Sequence, residues 1–375
     1  MIPYGRHCIE EDDIEAIVSV LKSDDNISDG PRSLELEQNL SEYVGAKYAV
    51  VVSSGTAALH AACYVAGLKA GDEVITSPNT FVSTAEAIMY CGAKPVFADI
   101  DAMTHNIKPE SVADHITERT KAILPVDYAG QPCDLDEIRD IAQKHNLLLI
   151  EDGAEALGSE YRGRKIGSIS DMTIFSFHAV KNITTCEGGA IVTDNKEYYD
   201  KLKKFRAYGI DKTIKIDDEP WLSVQTGFGY NYRLSEIQCA LGISQLKKLN
   251  RFIARRTEIA DRYFERLANV SNLKLPYIKS CNKTNWYMFV IQLMGIDRRV
   301  LWEELKNCGV LAGVSFYPVY KNQYYQERGY ADVYCEESEM FYKTALTLPC
   351  FPKLMDRDVD KVIDALIMIC NKYGY

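Results

Sequence analysis

Residues 135–152 read LDEIRDIAQKHNLLLIED and contain one helix–strand unit of the fold. Apolar residues recur at helical spacing over Leu135–His145, whereas Leu147–Ile150 is a continuous apolar run of the kind that forms a buried strand. Asp152 follows that run directly. A helix of this type followed by a buried strand is typical of an α/β domain with a parallel sheet.

The same alternation of short β-rich runs and helical segments continues on both sides of this unit. The predicted strands are Tyr48–Val52, Glu73–Thr76, Pro95–Asp99, Ala122–Val126, Leu147–Glu151, Thr173–Phe177 and Ala190–Thr193. We therefore expect a large α/β domain over residues 1–245, built on a mostly parallel seven-stranded sheet.

A smaller α+β domain is predicted for residues 246–375. A long helix over Ser235–Leu267 bridges to this domain. The apolar pattern of the remaining sequence predicts a strand at Tyr287–Leu293 and helices at Val300–Cys308 and Asp356–Asn371. A chain of 375 residues is long enough to build two such domains.

The composition narrows the class of function. The net charge is -10 and no basic run offers a nucleic-acid footprint. The apolar runs are too short to span a bilayer. The 11 cysteines contain no CxxC pair and the 6 histidines no paired-ligand spacing. The acidic stretch Glu10–Asp13 is unlike a signal peptide. We expect a cytoplasmic protein that holds no metal and binds neither nucleic acid nor membrane.

Polar residues that follow the predicted strands are candidates for a ligand site, because open α/β sheets bind ligands beyond the carboxyl ends of their strands. Ser53-Ser54-Gly55-Thr56 leads into a helix, whose free N–H groups and dipole favour an anion such as phosphate. The Asp152 carboxylate is placed to pair with a protonated ring nitrogen. Ser, Thr and Asp are also favoured helix caps, and this alternative stays open for each position taken alone.

Lys181 lies just beyond another predicted strand, in Ser176–Gly189, which reads SFHAVKNITTCEGG. A desolvated lysine can act as an amine nucleophile and base. Most lysines are solvated surface residues, so the position alone does not give Lys181 a role. Its interpretation depends on the sequence blocks that accompany it.

Four blocks in order make the sequence resemble the DegT/StrS family of nucleotide-sugar aminotransferases, which are fold-type I enzymes that use pyridoxal 5'-phosphate (PLP). The blocks are SSGTAAL at 53–59, EDGA at 151–154, SFHAVKNITTCEGG at 176–189 and GYNYRLSE at 229–236. The similarity covers nearly the whole chain. It implies a large mixed-sheet domain, PLP as the cofactor, and a homodimer with shared active sites.

The resemblance implies that Lys181 binds PLP as a Schiff base and moves the proton in catalysis. It implies that Asp152 pairs with the pyridine nitrogen and that Phe81 stacks on the ring, although a place in the core is the alternative for a phenylalanine. Glu155 stands where relatives usually carry His or Gln near the phenolic oxygen. A second carboxylate beside Asp152 is costly unless it is protonated or paired.

The cofactor phosphate is the ligand that the resemblance assigns to Gly55, Thr56 and Ser176. It further implies that Asn231 reaches this phosphate across the dimer interface and that Arg233 lines the same site. The active site would then be built from two chains.

The implied substrates are L-glutamate and a nucleotide-linked keto sugar. VDYAG at 126–130, ALGSEY at 156–161, ALGISQLKK at 240–248 and LTLPC at 346–350 are similar to the subgroup that acts in pseudaminic acid biosynthesis. That subgroup aminates C4 of a UDP-linked 4-keto-6-deoxy-N-acetyl hexose, giving UDP-4-amino-4,6-dideoxy-N-acetyl-β-L-altrosamine. We expect the sugar to contact Tyr4, Ser315, Tyr317 and Tyr320. Relatives commonly read His-Tyr-x-Pro where this chain has Ser315-Phe316-Tyr317-Pro318.

Three alternatives stay open. The substrate could be another UDP- or dTDP-linked sugar with the keto group at C3 or C4. A PLP-dependent sugar dehydratase of the same fold is disfavoured because those enzymes replace the Schiff-base lysine by histidine. A PLP-binding regulator without catalysis is disfavoured by the net negative charge and by the lack of an added DNA-binding module.

Overall fold

Helices and strands alternate along the chain, which the computed structural model describes over residues 1–28, 30–211, 213–214, 216, 219, 221–314 and 316–373. The helices are α1 Glu11–Lys22, α2 Pro31–Val44, α3 Gly55–Val65, α4 Ser83–Tyr90, α5 Pro109–Asp114, α6 Leu135–Lys144, α7 Lys196–Arg206, α8 Glu236–Leu267, α9 Arg298–Asn307, α10 Gln323–Tyr325, α11 Glu336–Thr344 and α12 Asp356–Tyr373. The strands are β1 Tyr48–Val52, β2 Glu73–Thr76, β3 Lys94–Phe97, β4 Thr120–Leu124, β5 Leu148–Asp152, β6 Glu160–Tyr161, β7 Arg164–Lys165, β8 Met172–Ser176, β9 Gly189–Thr193, β10 Ile210–Asp211, β11 Val224–Gln225, β12 Leu273–Lys274, β13 Asn282–Lys283, β14 Phe289–Leu293 and β15 Ala345–Leu348.

The large sheet has seven strands in the order β1-β9-β8-β5-β4-β2-β3. β9 is antiparallel to both of its neighbours, and the other neighbouring strands are parallel. The predicted mixed, mostly parallel seven-stranded sheet is thus confirmed. Individual strand ends differ from prediction by one or two residues. The run at Ala122–Val126, for example, leaves the main ladder at Leu124, and Val126 forms only an isolated bridge to Asp152.

The parallel strands bring the candidate ligand residues to one edge of the sheet. β1, β5 and β8 run in the same direction, so their carboxyl ends at Val52, Asp152 and Ser176 meet at that edge. All five residues of β8 and four of the five in β5 are buried. Strands covered on both faces leave little freedom in where their last residues lie.

A second core is formed around the three-stranded antiparallel sheet β12-β14-β15 and the helices α9 and α12. Helix α8 contributes to both cores, with Cys239–Leu249 in the large one and Ile259–Leu267 in the small one. Ile2 also packs in the small core and pairs with Val310. The predicted domain boundary between residues 245 and 246 falls inside α8 and stays a prediction.

Two features are absent from the part of the chain that the structure describes. None of the helices combines the length and apolar character that crossing a bilayer requires. In the same residues, no three or more His, Cys, Asp or Glu side chains are placed together so as to hold a metal ion.

Candidate active site

A cleft of about 470 Å³ opens at the carboxyl edge of the large sheet. Eight residues predicted for the site line it: Tyr4, Gly55, Thr56, Phe81, Asp152, Glu155, Ser176 and Lys181. They come from segments separated by up to 177 residues, and the strand order of the sheet brings them together.

The amino end of α3 forms one wall of the cleft. The Ser54 side chain caps the helix by accepting a hydrogen bond from the Ala57 amide at 3.0 Å. The other amides of the first turn lack partners within the helix, as at any helix start, and favour an anion. A Cβ on Gly55 would lie 2.9 Å from the Ser176 Cβ and 3.0 Å from its hydroxyl. Glycine lets Ser176 approach the first turn of α3 this closely, so the Ser176 hydroxyl lies beside the start of the helix, and we call this pair the Gly55–Ser176 cradle.

Asp152 is buried and ends β5 at the floor of the cleft. Its Oδ2 accepts a hydrogen bond from the Thr84 hydroxyl at 2.8 Å, and its Oδ1 accepts one from the Ala154 amide at 3.2 Å. Burial raises the pKa of this carboxyl above its ordinary value. A cationic partner entering the cleft would therefore be favoured, because it would offset the cost of burying the charge.

The Lys181 amine is held between two side chains. Its Nζ lies 3.3 Å from Glu155 Oε1 and 4.3 Å from the centre of the Tyr287 ring. Burial lowers the pKa of Lys181, but Tyr287, Glu155 and Asp152 outweigh burial and raise it. Burial also raises the pKa of Tyr287, so its phenol is neutral at neutral pH. The two carboxylates therefore supply the negative charge that holds the ammonium, and the neutral Tyr287 stabilises it through the face of its ring.

Glu155 has the pairing that its buried position requires. Besides the lysine at Oε1, its Oε2 accepts a hydrogen bond from the Ala129 amide at 2.9 Å. Ala129 has a φ of 57° and lies in the left-handed region. The carboxylate is thus satisfied on both oxygens and is fixed in place beside Lys181.

Phe81 is not a core residue. Its side chain is 59% exposed and projects into the cleft, where its ring lies 6.2 Å from that of Phe316. A large aromatic surface left open beside a buried carboxylate and a lysine is suited to stacking on a planar ligand.

Other predicted site residues lie outside the lining of this cleft. Asn231 is exposed, and the Arg233 guanidinium lies over the Tyr208 ring at 5.5 Å. The role predicted for Asn231 and Arg233 in the other subunit's site stays a prediction. Tyr317 is exposed and packs its ring 5.1 Å from Tyr342. Ser315 lies outside the described residues.

Tyr320 is fully buried in an aromatic cluster with Phe97 and Tyr325. Its hydroxyl donates to Glu339 Oε1 at 3.0 Å and accepts from the Cys335 amide at 3.0 Å. The hydroxyl therefore uses both its donor and its acceptor capacity within the protein. This arrangement favours a packing role over the sugar contact predicted for Tyr320.

Sequence reasoning missed several residues of the cleft. Tyr287 comes from the segment before β14, and Thr84 from the first turn of α4. Thr84 was within reach of prediction, since it follows Phe81 at helical spacing. Tyr287 carried no such signal, because its contact with Lys181 depends on how the small domain packs. His178 and Glu187 flank the Lys181 loop, with His178 Nε2 3.8 Å from Glu187 Oε1.

Four features of the cleft residues fit PLP. The Gly55–Ser176 cradle at the start of a helix suits a phosphate. The buried Asp152 suits a protonated ring nitrogen, and the exposed Phe81 ring suits stacking on the pyridine. Lys181 Nζ lies in the same cleft.

Comparison with known proteins gives consistent results. The model of the DegT/DnrJ/EryC1/StrS aminotransferase family matches residues 7–367. The spore coat polysaccharide biosynthesis protein SpsC of Bacillus subtilis is 39% identical over 97% of this chain and 96% of that protein. The UDP-4-amino-4,6-dideoxy-N-acetyl-beta-L-altrosamine transaminase of Campylobacter jejuni is 37% identical over 99% of this chain and 98% of that protein.

Solved structures agree with these sequence relatives. Helicobacter pylori PseC, described as an aminotransferase involved in the biosynthesis of pseudoaminic acid, superposes with a TM-score of 0.93 at 34% identity. The match covers 99% of this chain and 100% of that one.

Proposed function

Because the chain belongs to the DegT/DnrJ/EryC1/StrS aminotransferase family and is a sugar aminotransferase, we propose that it uses PLP to transfer an amino group from L-glutamate to C4 of a UDP-linked 4-keto-6-deoxy-N-acetyl hexose. The product would be UDP-4-amino-4,6-dideoxy-N-acetyl-β-L-altrosamine. The observation that carries the proposal is that the Lys181 amine lies in one cleft with Asp152 and the Gly55–Ser176 cradle. The substrate assignment is supported by the names of two relatives, at 37% and 34% identity.

The residues that would hold the cofactor lie on three sides of the cleft. Gly55, Thr56 and Ser176 would bind its phosphate, Asp152 its ring nitrogen and Phe81 one face of its ring. PLP, when bound, supplies an electron-withdrawing ring that stabilises negative charge on the carbon that carries the amino group. The Asp152 carboxylate strengthens that effect by keeping the ring nitrogen protonated.

Lys181 is the residue that moves the proton. An amine transfers a proton only if it can lose its own, and in the cleft Glu155 and Asp152 together hold it as an ammonium. A protonated ring nitrogen paired with Asp152 would remove one of these two negative charges from the lysine. The pKa of Lys181 would then fall toward the range in which it can act as a base.

One observation supports an alternative assignment of the sugar substrate. SpsC, a spore coat polysaccharide biosynthesis protein, is 39% identical to this chain, slightly above the value for the altrosamine transaminase. The alternative is therefore amination of another UDP- or dTDP-linked keto sugar with the same cofactor machinery. A dehydratase is disfavoured by Lys181, and a non-catalytic regulator by the net charge of -10 and by the presence of Lys181 and Asp152 in one cleft.

The test uses the purified protein with PLP, L-glutamate and a panel of UDP- and dTDP-linked 3-keto and 4-keto sugars. We expect a visible absorbance band with PLP, its loss on adding glutamate, and an amine product from the UDP-linked N-acetyl 4-keto sugar by mass spectrometry. Lys181→Ala should abolish turnover, whereas Lys201→Ala, which removes an exposed α7 lysine, should not.

The outcomes separate the parts of the proposal. No band with PLP would overturn the cofactor assignment. A band without amine product from any sugar would overturn the aminotransferase activity. Product only from sugars other than the UDP-linked N-acetyl 4-keto compounds would move the substrate assignment to the alternative.

A further inference from the structure

Asn285 is a buried side chain that joins two separate segments of the active site. It has no exposed surface and lies just before β14 in the sequence. Its Nδ2 donates to the carbonyls of Glu155 at 2.8 Å and Leu157 at 3.0 Å, and its Oδ1 accepts from the Tyr287 amide at 2.9 Å. The two donated bonds reach the loop of Glu155 and Leu157, and the accepted bond closes a turn within the segment that holds Asn285 and Tyr287.

The two segments that Asn285 joins are the ones that flank Lys181. Glu155 contributes the carboxylate 3.3 Å from Nζ, and Tyr287 contributes the ring 4.3 Å from it. We call Glu155 and Tyr287 the lysine clamp. Because the Asn285 amide binds the backbone of both residues, it fixes their separation and hence the space available to the amine.

The surrounding chain is shaped to admit this amide. A Cβ on Gly130 would lie 2.0 Å from Asn285 Oδ1, and Gly130 has a φ of 89°. The Ser159 hydroxyl accepts from the backbone N–H of Asn285 at 3.0 Å and donates to the Gly130 carbonyl at 2.6 Å. The position of the Asn285 side chain is therefore fixed by the packing of several residues and by more than one hydrogen bond.

We propose that Asn285 is a positioning residue that holds the lysine clamp at a fixed width and so sets how tightly the Lys181 nitrogen keeps its proton. The inference rests on the proposed function, because that nitrogen is the one expected to bind PLP and to move the proton. Asn285 acts through Glu155 and Tyr287 and touches no reacting atom.

The expected effect has a definite direction. Loosening the clamp lets the Glu155 carboxylate move away from Nζ, so the protonated nitrogen loses stabilisation and its proton affinity falls. Asn285 bonds Ser159, Glu155, Leu157 and Tyr287, so we expect the variant to leave in place the other titratable groups of the cleft lining: Tyr4, Asp152, His178 and Glu187.

The experiment is a pH titration of the visible absorbance of the PLP-loaded enzyme, which reports protonation of the nitrogen that links Lys181 to the cofactor. Asn285→Ala should lower the midpoint by about one pH unit, a tenfold change in proton affinity. Asn285→Ser, which replaces the two N–H donors by the single O–H of a shorter side chain, is the second variant if Asn285→Ala does not fold. Tyr263→Phe is the control, because it removes an equally buried hydrogen bond, to the Pro349 carbonyl at 2.8 Å, that involves neither residue of the clamp.

A double-mutant cycle tests whether Asn285 acts through the carboxylate. Glu155→Gln should lower the midpoint by itself, and adding Asn285→Ala should then change it little, because the charge that Asn285 positions is gone. The inference is overturned if the Asn285 variants titrate like Tyr263→Phe, or if their shift is fully retained in the Glu155→Gln background. Failure of the wild type to form any band would instead overturn the proposed function.

Discussion

Substitution of Gly55 by alanine tests the cofactor cradle most directly. The added Cβ would lie 2.9 Å from the Ser176 Cβ, whereas ordinary van der Waals contact begins near 3.4 Å. Ser176, which lines the cleft and is assigned to the phosphate, would have to shift by about 0.5 Å, and it has room to do so only when no phosphate is bound. Gly55 is outside the left-handed region, so the backbone tolerates alanine, which is also the better helix former.

This substitution should lower the affinity for PLP more than it lowers the stability of the fold. Overpacking of this kind costs about 1–3 kcal/mol, and a factor of ten corresponds to about 1.4 kcal/mol. We expect PLP affinity to fall roughly 5- to 150-fold, while the free energy of unfolding of the cofactor-free protein stays within about 1 kcal/mol of the wild type. The assay is an absorbance or fluorescence titration of dialysed protein with PLP, paired with thermal unfolding.

A matched glycine at the end of α2 provides the control. Gly45 has a φ of 78° and open space where its Cβ would lie, so Gly45→Ala should cost about 1 kcal/mol of stability and leave PLP affinity unchanged. In the double variant with Ser176→Gly, Gly55→Ala should cost less affinity than in the wild type because the clash is gone. Equal PLP affinity in Gly55→Ala, Gly45→Ala and wild type would refute the cradle.

Three further outcomes are expected. The neighbouring carboxylates raise the pKa of Lys181, and only the neutral amine attacks PLP. Glu155→Gln should therefore shift the pH profile of PLP binding to lower pH, with faster colour formation at pH 7. An unchanged pH profile would contradict the expected direction. Gly130→Ala should cost about 3 kcal/mol or more in denaturant unfolding, because its Cβ would overlap a buried amide oxygen at 2.0 Å. Gly163→Ala has a similar positive φ but open space, and should cost only about 1 kcal/mol; equal losses would show that the overlap is relieved. Tyr320→Phe should leave the KM for the sugar within about twofold, since its hydroxyl is bonded internally, and lower stability by about 1 kcal/mol; a large rise in KM would restore its predicted substrate role.

The sequence predicted those features that follow from local pattern. Buried strands of parallel direction place their last residues at one edge, so Asp152 and Ser176 could be assigned to a common site before the fold was known. Strand ends were less well predicted, because apolar residues such as Val126 continue past the point where ladder hydrogen bonds stop.

Features that depend on contacts between distant segments escaped prediction. Glu155 looked costly as a second carboxylate, and its pairing with Lys181 and the Ala129 amide is visible only in the fold. Tyr320 sits in an aromatic stretch that pattern alone does not distinguish from a sugar-binding surface. Asn285 is a single amide in a loop, and its importance comes from carbonyls about 130 residues away in sequence.

Helix α8 has a mechanical consequence for how the cleft can open. It is one continuous helix of 32 residues, about 48 Å long at 1.5 Å per residue, with one end packed in each core. A loop between domains would allow free hinge rotation, but here any large rotation of the small domain has to bend this helix or strip it from one core. Substrate exchange is therefore expected to proceed by small rocking movements at the cleft mouth, with the floor at Asp152 remaining rigid.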